Sequence, residues 1–165
     1  MHGEAMEEFQ KFFDAHLTDH PGGLVLDIGS YDVNGTYAGW FADPKWRYVG
    51  CDIAAGPNVQ TVLPDLYDWS GVLPDREADL VISGQVLEHV PKPWRWFPEL
   101  VRVLKPGGLL YVSAPNTWEY HPYPVDCWRV WPDGLRALFE EFGVEPLSVY
   151  FRDRETVGIG RRSPG

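Results

Sequence analysis

The chain has 165 residues, a length that suits one domain, 1–165, with a continuous buried core. Its net charge of −10 at pH 7 argues against partners held through neutralised phosphates, nucleic acid first among them, because such binding draws on clustered Lys and Arg. Cys51 and Cys127 form no Cys-x-x-Cys spacing, so neither a disulfide scaffold nor a zinc site is indicated; no run reaches the ~20 apolar residues that cross a bilayer.

The leading segment places Met6, Phe9, Phe12, Phe13 and Leu17 at three- and four-residue steps, which predicts an amphipathic helix stopped by Pro21-Gly22-Gly23. Its acidic residues Glu4, Glu7, Glu8 and Asp14 do not form the basic-then-apolar pattern of a secretion signal, so a cytoplasmic protein is expected. Leu24 to Gly29 is a short apolar run ending in Asp27-Ile28-Gly29, as suits a strand covered on both faces. A short helix over Thr36–Phe41 precedes a second strand from Trp46 to Ile53, and Val59 to Leu63 reads as a weak third. Ala78 to Ser83 is the fourth. A Pro-opened helix follows from Pro93 to Leu104, halted by Lys105-Pro106-Gly107-Gly108 before a fifth strand, Leu109 to Ala114.

From Pro115 to Pro132 the chain is dense in Pro, Trp and Tyr, and a helix over Asp133–Phe142 ends at Gly143. Two last β-rich stretches, Glu145 to Phe151 and Thr156 to Gly160, flank a charged turn and predict an antiparallel hairpin. Strands alternating with helices imply an α/β fold: a Rossmann-like, doubly wound, mostly parallel sheet with that C-terminal hairpin, in a three-layer αβα sandwich. The connection between the second and third strands is too short for a helix, which would bare part of a sheet face and leaves a homodimer open.

Ligands of such sheets bind at the carboxyl ends of the strands, so the residues there carry the functional reading. The first strand ends in a glycine-bearing turn, Gly29-Ser30-Tyr31-Asp32-Val33-Asn34-Gly35, but the acidic Asp27 and the lack of Gly-x-Gly-x-x-Gly disfavour a pyrophosphate and a nucleotide-dependent oxidoreductase. The second strand ends in Gly50-Cys51-Asp52, where a carboxylate can accept from both hydroxyls of a ribose. Each acid alone could be a plain turn residue. Together they fall at adjacent strand ends in the order a nucleoside would need.

Leu26-Asp27-Ile28-Gly29 with Asn34-Gly35, Gly50-Cys51-Asp52, Val86-Leu87-Glu88-His89-Val90 and Leu104-Lys105-Pro106-Gly107-Gly108 resemble the successive motifs of class I S-adenosylmethionine-dependent methyltransferases. The resemblance runs from about Leu24 to Tyr150, and a bacterial subgroup of unassigned substrate is similar in Asp-Val-Asn-Gly and in the His-Pro-Tyr-Pro-Val-Asp-x-Trp-Arg stretch. It implies S-adenosylmethionine as cofactor, with Asp27 and the turn Gly29, Ser30, Tyr31, Asn34 and Gly35 at its methionine end. Asp52 would take the ribose and Ile53 the adenine face. Asp65 and Leu66 would receive the adenine edge, with Asp68 competing for the acid, and Ser83, Gly84 and Gln85 would line the sulfonium region.

The chain departs from the commoner pattern in having Tyr31 where a second glycine of the first motif would stand. It is also similar to ubiquinone-type O-methyltransferases around Gln85, which stands where they carry a metal-linked acid; Glu88 and His89 are then only two ligands, so no metal is expected. These two also suit helix-start capping and packing.

The resemblance implies methyl transfer to a small-molecule or glycan-precursor acceptor, no nucleic acid and no membrane partner. The alternative is a non-catalytic protein that binds S-adenosylmethionine or S-adenosylhomocysteine as a sensor or partner subunit. His89 and His121 are the candidate general bases, unranked, because imidazole titrates near neutrality. Tyr123, Asp126 and Trp128, in the stretch after the fifth strand, are candidate acceptor contacts; the same stretch could instead be a rigid cap in which Asp126 and Arg129 pair structurally.

Overall fold

The computed structural model describes residues 3–165; Met1 and His2, which the expected 1–165 domain includes, lie outside the described residues. Its strands are β1 (Gly23–Ile28), β2 (Trp46–Asp52), β3 (Thr61–Val62), β4 (Ala78–Gly84), β5 (Leu104–Pro115), β6 (Val144–Arg152) and β7 (Glu155–Arg162). The helices are α1 (Gly3–His16), α2 (Pro93–Val103) and α3 (Pro132–Glu141). All strands join one sheet in the order β3-β2-β1-β4-β5-β7-β6.

Successive side chains of a strand point to opposite faces, and here both faces are apolar. Val25, Leu80, Ile82 and Tyr111 enter one cluster, where Phe9 and Phe12 of α1 lie with ring centroids 5.0 and 4.8 Å from that of Tyr111. Leu26, Ile28, Val81, Leu110 and Val112 enter the other, under Trp96, Phe97 and Leu100 of α2 and Leu135 and Phe139 of α3. Three layers follow directly from that division.

The chain passes from β1 outward to β2 and β3, then returns across β1 to β4 and β5, all parallel. Order therefore reverses between β1 and β4, and the loops leaving these two strands diverge to open a crevice. β7 runs antiparallel to β5, and β6 to β7, which gives the expected terminal hairpin.

Boundaries differ in three places. The fifth strand begins at Leu104 rather than Leu109, because Ala78 already pairs with Leu104 and the Lys105–Gly108 stretch is accommodated as a bulge, with Gly107 at φ +80°. The third strand shrinks to Thr61–Val62, paired with Cys51 and Asp52. The turn before β2 is helical, as a 3-10 turn, only over Ala38–Phe41. Residues 53–60 contain no helix, and Ile53 and Val62 are 51% and 46% exposed.

Candidate functional site

The loops at the carboxyl ends of β1, β2, β4 and β5 enclose a crevice of about 1220 Å³. That exceeds the ~300–1,000 Å³ usual for a single small-molecule pocket, so two ligands can lie side by side in it. Asp27 and Asp52 both line it. The register that pairs Asp27 with Gly50 and Asp52 with Val62 sets the two carboxylates at neighbouring strand ends of one wall.

Asp27 is 3% exposed and accepts a short hydrogen bond from the Tyr48 hydroxyl. Burial pushes its carboxyl up to about 7; the Tyr48 bond opposes this, and the Asp52 charge adds to it. Asp52 lies nearer the surface, where its Oδ2 accepts from the Tyr31 amide at 3.1 Å and its Oδ1 from the Ala54 amide at 3.2 Å.

Between them runs the turn that follows β1. Gly29 has φ +84°, and a Cβ there would stand 2.1 Å from Val86 Cγ2, so only glycine fits both the backbone and the space. The Gly29 and Ser30 amides both donate to Cys51 O, at 2.8 and 3.1 Å, and Asp32 Oδ1 accepts from the Gly35 amide at 2.9 Å. The resulting arc lines the crevice with Gly29, Ser30, Tyr31, Asn34 and Gly35, and Ile53 and Leu66 face it from the far side.

Asn58 clamps the arc. Its Nδ2 lies 3.0 Å from Ser30 O, 2.6 Å from Thr36 Oγ1 and 2.9 Å from the Tyr48 hydroxyl, while its carbonyl accepts from Ser30 Oγ at 2.7 Å. Sequence reasoning passed over Asn58 and Tyr48. A signal for Asn58 existed, because Gly56-Pro57-Asn58 is a turn sequence and asparagine is the side chain that best tolerates its φ of +62°.

Gly84 and Gln85 line the crevice beyond β4, with Gln85 at φ +61°. The Gln85 amide group donates to Glu155 Oε2 at 2.6 Å, so a buried acid from β7 fixes its orientation. Ser83 is not in the wall: it is 1% exposed and its hydroxyl donates to Ile28 O at 2.9 Å, a strand-to-strand tie between β4 and β1. Asp65 also lies outside the lining, where Oδ1 caps the Tyr67 amide at 2.7 Å; the competing Asp68 caps Ser70. Leu66, expected together with Asp65, does line the crevice, as does Leu63.

His89 and His121 face the other half of the crevice, with Trp118, Pro122, Tyr123 and Val125. Their ring centroids are 4.9 Å apart and nearly perpendicular. His89 Nδ1 lies 2.6 Å from Val125 O and His121 Nδ1 lies 2.9 Å from Glu119 O; a carbonyl can only accept, so both Nδ1 atoms carry a proton. Burial lowers the His89 pKa, with the His121 and Arg129 charges adding to the effect against the Val125 carbonyl, so the ring is neutral at pH 7. The two Nε2 atoms stand 3.9 and 3.8 Å from Oε2 of Glu88. Glu88 is 0% exposed, and burial pushes its carboxyl up to about 8.

Asp126 and Trp128 do not line the crevice. Both Asp126 oxygens accept from Arg129, at 2.7 and 2.8 Å, and Oδ2 also accepts the His121 amide at 2.9 Å; this pairing holds its carboxyl well below the usual range. Trp128 donates through Nε1 to Val90 O at 2.8 Å and packs in a separate shallow groove beside Trp94 and Trp131. The reason is Arg129, whose guanidinium also binds the carbonyls of Trp118 and Glu119, so this stretch is braced from behind and presents Tyr123 alone of the three expected contacts.

Arg129→Ala is accordingly expected to cost about 2–4 kcal/mol, because the Asp126 side chain is only 2% exposed and would be left charged without its partner. The melting point should fall by about 5–15 °C. Arg129→Lys should recover little of this, since an ammonium cannot span both oxygens. Thermal unfolding checks both, and a melting point unchanged in Arg129→Ala would refute the brace.

A reversing parallel sheet with an antiparallel β7 inserted beside β5, and two carboxylates flanking a glycine turn at the switch point, define the Rossmann-like methyltransferase fold. The sequence profile of the methyltransferase domain family matches residues 26–112, just over half of the chain, and the chain belongs to that family. An uncharacterised methyltransferase of Mycobacterium leprae is 40% identical over 111 residues, which are 62% of this chain and 40% of that protein. The chain thus spans about 40% of the length of such curated relatives.

Among solved structures, the 1,6-didemethyltoxoflavin-N1-methyltransferase of Burkholderia thailandensis, bound to its substrate and S-adenosylhomocysteine, superposes with a TM-score of 0.75 at 16% identity, over 96% of this chain and 78% of that one. A cyclase superposes with a TM-score of 0.70, also at 16% identity, over 98% of this chain and 82% of the other. Likeness at that level shows the fold, and the cyclase shows that the fold does not by itself fix the reaction.

Proposed function

We propose that this chain binds S-adenosylmethionine in the Asp27–Asp52 half of the crevice and transfers its methyl group to a small-molecule or glycan-type acceptor held in the His89–His121 half. The observation that carries the reading is the placement of both carboxylates on one wall of a crevice with room for a second ligand. The cofactor, when bound, supplies an electrophilic methyl on a sulfonium, whose transfer needs an aligned acceptor more than an elaborate catalytic apparatus.

The residues present fit that molecule. Asp52, open to the crevice, would accept from the ribose hydroxyls, and Ile53, Leu63 and Leu66 would cover the adenine faces. Asp27, buried and able to ionise, would pair with the methionine ammonium, and the Gly29–Gly35 arc admits the chain closely because it has no side chain at its tightest point. Gln85, held by Glu155, borders the reacting centre. Among groups on the acceptor side, the imidazoles of His89 and His121 are the ones able, when no metal ligates them, to take a proton from a hydroxyl acceptor. The breadth of that second compartment favours catalysis over a purely sensing role.

Calorimetric titration with S-adenosylmethionine and S-adenosylhomocysteine, followed by methyl transfer to a panel of phenols, sugars and amines, tests the reading. One site per chain and turnover of some acceptor are expected. Absence of binding to both cofactor forms would overturn it.

Asp27 adds a pH dependence. Only its ionised form attracts an ammonium, so affinity should rise up to about tenfold per pH unit below about 7 and flatten above it. Stability of the ligand-free protein runs the other way: a carboxyl whose folded value is raised contributes fully below its unfolded value, near 4, and loses that contribution as pH rises through about 7. Asp27→Asn should flatten both profiles; a wild-type affinity independent of pH between 5.5 and 7.5 would remove Asp27 from the cofactor site.

A further inference from the structure

Glu88 presents a problem that methyl transfer leaves unanswered. Its side chain is fully buried, and neither carboxylate oxygen accepts a hydrogen bond in ordinary geometry. A buried carboxyl without a hydrogen-bond partner is costly. Its backbone carbonyl, by contrast, is well occupied, accepting from the Cys127 and Trp128 amides at 2.7 and 3.1 Å, which ties the β5–α3 connection to this point.

What the carboxyl faces is two imidazole nitrogens. His89 and His121 place their Nε2 atoms 3.9 and 3.8 Å from Glu88 Oε2, and in each ring the opposite nitrogen is fixed by a backbone carbonyl. That carbonyl contact orients metal-ligating imidazoles and sets their tautomer. One ligand atom from each of the three residues falls within a span of 4.8 Å. The neighbouring charges cancel, because Arg129, 3.5 Å from His121 Nδ1, is already paired twice with Asp126.

We propose that Glu88, His89 and His121 form a binding site for one divalent transition-metal ion, with its open coordination positions facing the acceptor half of the crevice. Two imidazoles and one carboxylate suit zinc, manganese, iron or cobalt better than magnesium or calcium, which prefer oxygen throughout. Ligands about 2.1 Å from one ion stand about 3.4 Å apart in a tetrahedral arrangement, so the three side chains need to close by about 0.4–1.4 Å. The proposed site departs from the expectation of no metal: Glu88 and His89 alone are two ligands, and the third arrives from a loop 32 residues downstream that Arg129 holds in place.

Metal binding itself does not depend on the methyltransferase reading. The function of the ion does: in that reading the two imidazoles would ligate the ion instead of acting as bases, and the ion would bind the acceptor's oxygen and lower its pKa, so that the proton leaves to solvent as the methyl arrives. The two failures can be told apart, because Asp52→Ala should abolish tight cofactor binding and leave metal binding intact.

The test uses the full chain without a histidine tag, stripped with a chelator and titrated with Co2+ followed by visible absorption, then with Zn2+ in competition. One Co2+ per chain is expected, with d–d bands of a low-coordinate site that Zn2+ abolishes. Losing even an outer-shell partner costs about 10- to 100-fold in metal affinity, so Glu88→Gln and His121→Ala should each lower affinity at least about 100-fold. Glu88→Gln preserves shape and replaces a carboxyl that burial already favours in its uncharged form, so its metal-free melting point should not fall, which keeps the test valid if His121→Ala folds poorly. Absence of a Co2+ spectrum in the parent, or affinity unchanged in Glu88→Gln, overturns the site.

Discussion

Gly29→Ala is expected to melt about 5–15 °C below the parent and to bind S-adenosylmethionine too weakly to measure. Two costs add. A Cβ-bearing residue at φ +84° costs about 1–2 kcal/mol, and the new methyl would sit 2.1 Å from Val86 Cγ2, an overlap that forces a shift worth about 1–3 kcal/mol. In a chain of this length each kcal/mol moves the melting point by about 2–4 °C. Cofactor binding suffers more than stability, because the displaced segment is the arc whose Gly29 and Ser30 amides are tied to Cys51 O. The double change Gly29→Ala with Val86→Ala relieves the collision but not the dihedral strain, so it should restore part of the melting point. A single variant as stable as the parent would show that the turn is not held as described.

Asp52→Ala is expected to weaken S-adenosylmethionine and S-adenosylhomocysteine binding about 100-fold. A carboxylate that accepts from two hydroxyls makes two charge-assisted hydrogen bonds, each of about 1.5–3 kcal/mol, against which its present bonds to the Tyr31 and Ala54 amides and its solvation must be set. Asp52→Asn keeps an acceptor without the charge and should fall between the two, near tenfold. Because Asp52 lies near the surface, the ligand-free melting point should move by no more than about 2 °C. Calorimetry settles the matter: affinity within twofold of the parent in Asp52→Ala would take the ribose away from this residue.

The first two strands and the acids at their ends were legible because they depend on local pattern. An apolar run ending in Asp-Ile-Gly is a buried strand with a turn after it, and the parallel sheet then sets Asp27 and Asp52 side by side without further information. The terminal hairpin was legible for the same reason, from two β-rich stretches around a charged turn. The third strand and the start of the fifth were not, since a two-residue pairing and a bulge at Gly107 are decided by neighbouring strands rather than by composition.

The acceptor side was read least well. Asp126 and Trp128 have the chemistry of ligand contacts, yet Arg129 turns the one inward to itself and Val90 O draws the other to the opposite side of the loop. The Asp126–Arg129 pair is the rigid-cap alternative read from the sequence, whereas the Trp128–Val90 contact has no local signal. Gln85 lines the crevice, but its partner Glu155 is 70 residues away and arrives only because β7 inserts beside β5. The convergence of Glu88, His89 and His121 is of the same kind: adjacent residues on one element meet a third whose position depends on a long-range brace.

The helix-free passage from Asp52 to Thr61 has a practical consequence. Ile53, half exposed there, would form one side of the slot for the nucleobase, leaving the outer edge of the purine toward water. Cofactor analogues carrying a fluorophore or an affinity handle on that edge should thread out through the gap without disturbing the sulfonium, which would make this compact chain a convenient receptor for labelled adenosyl probes.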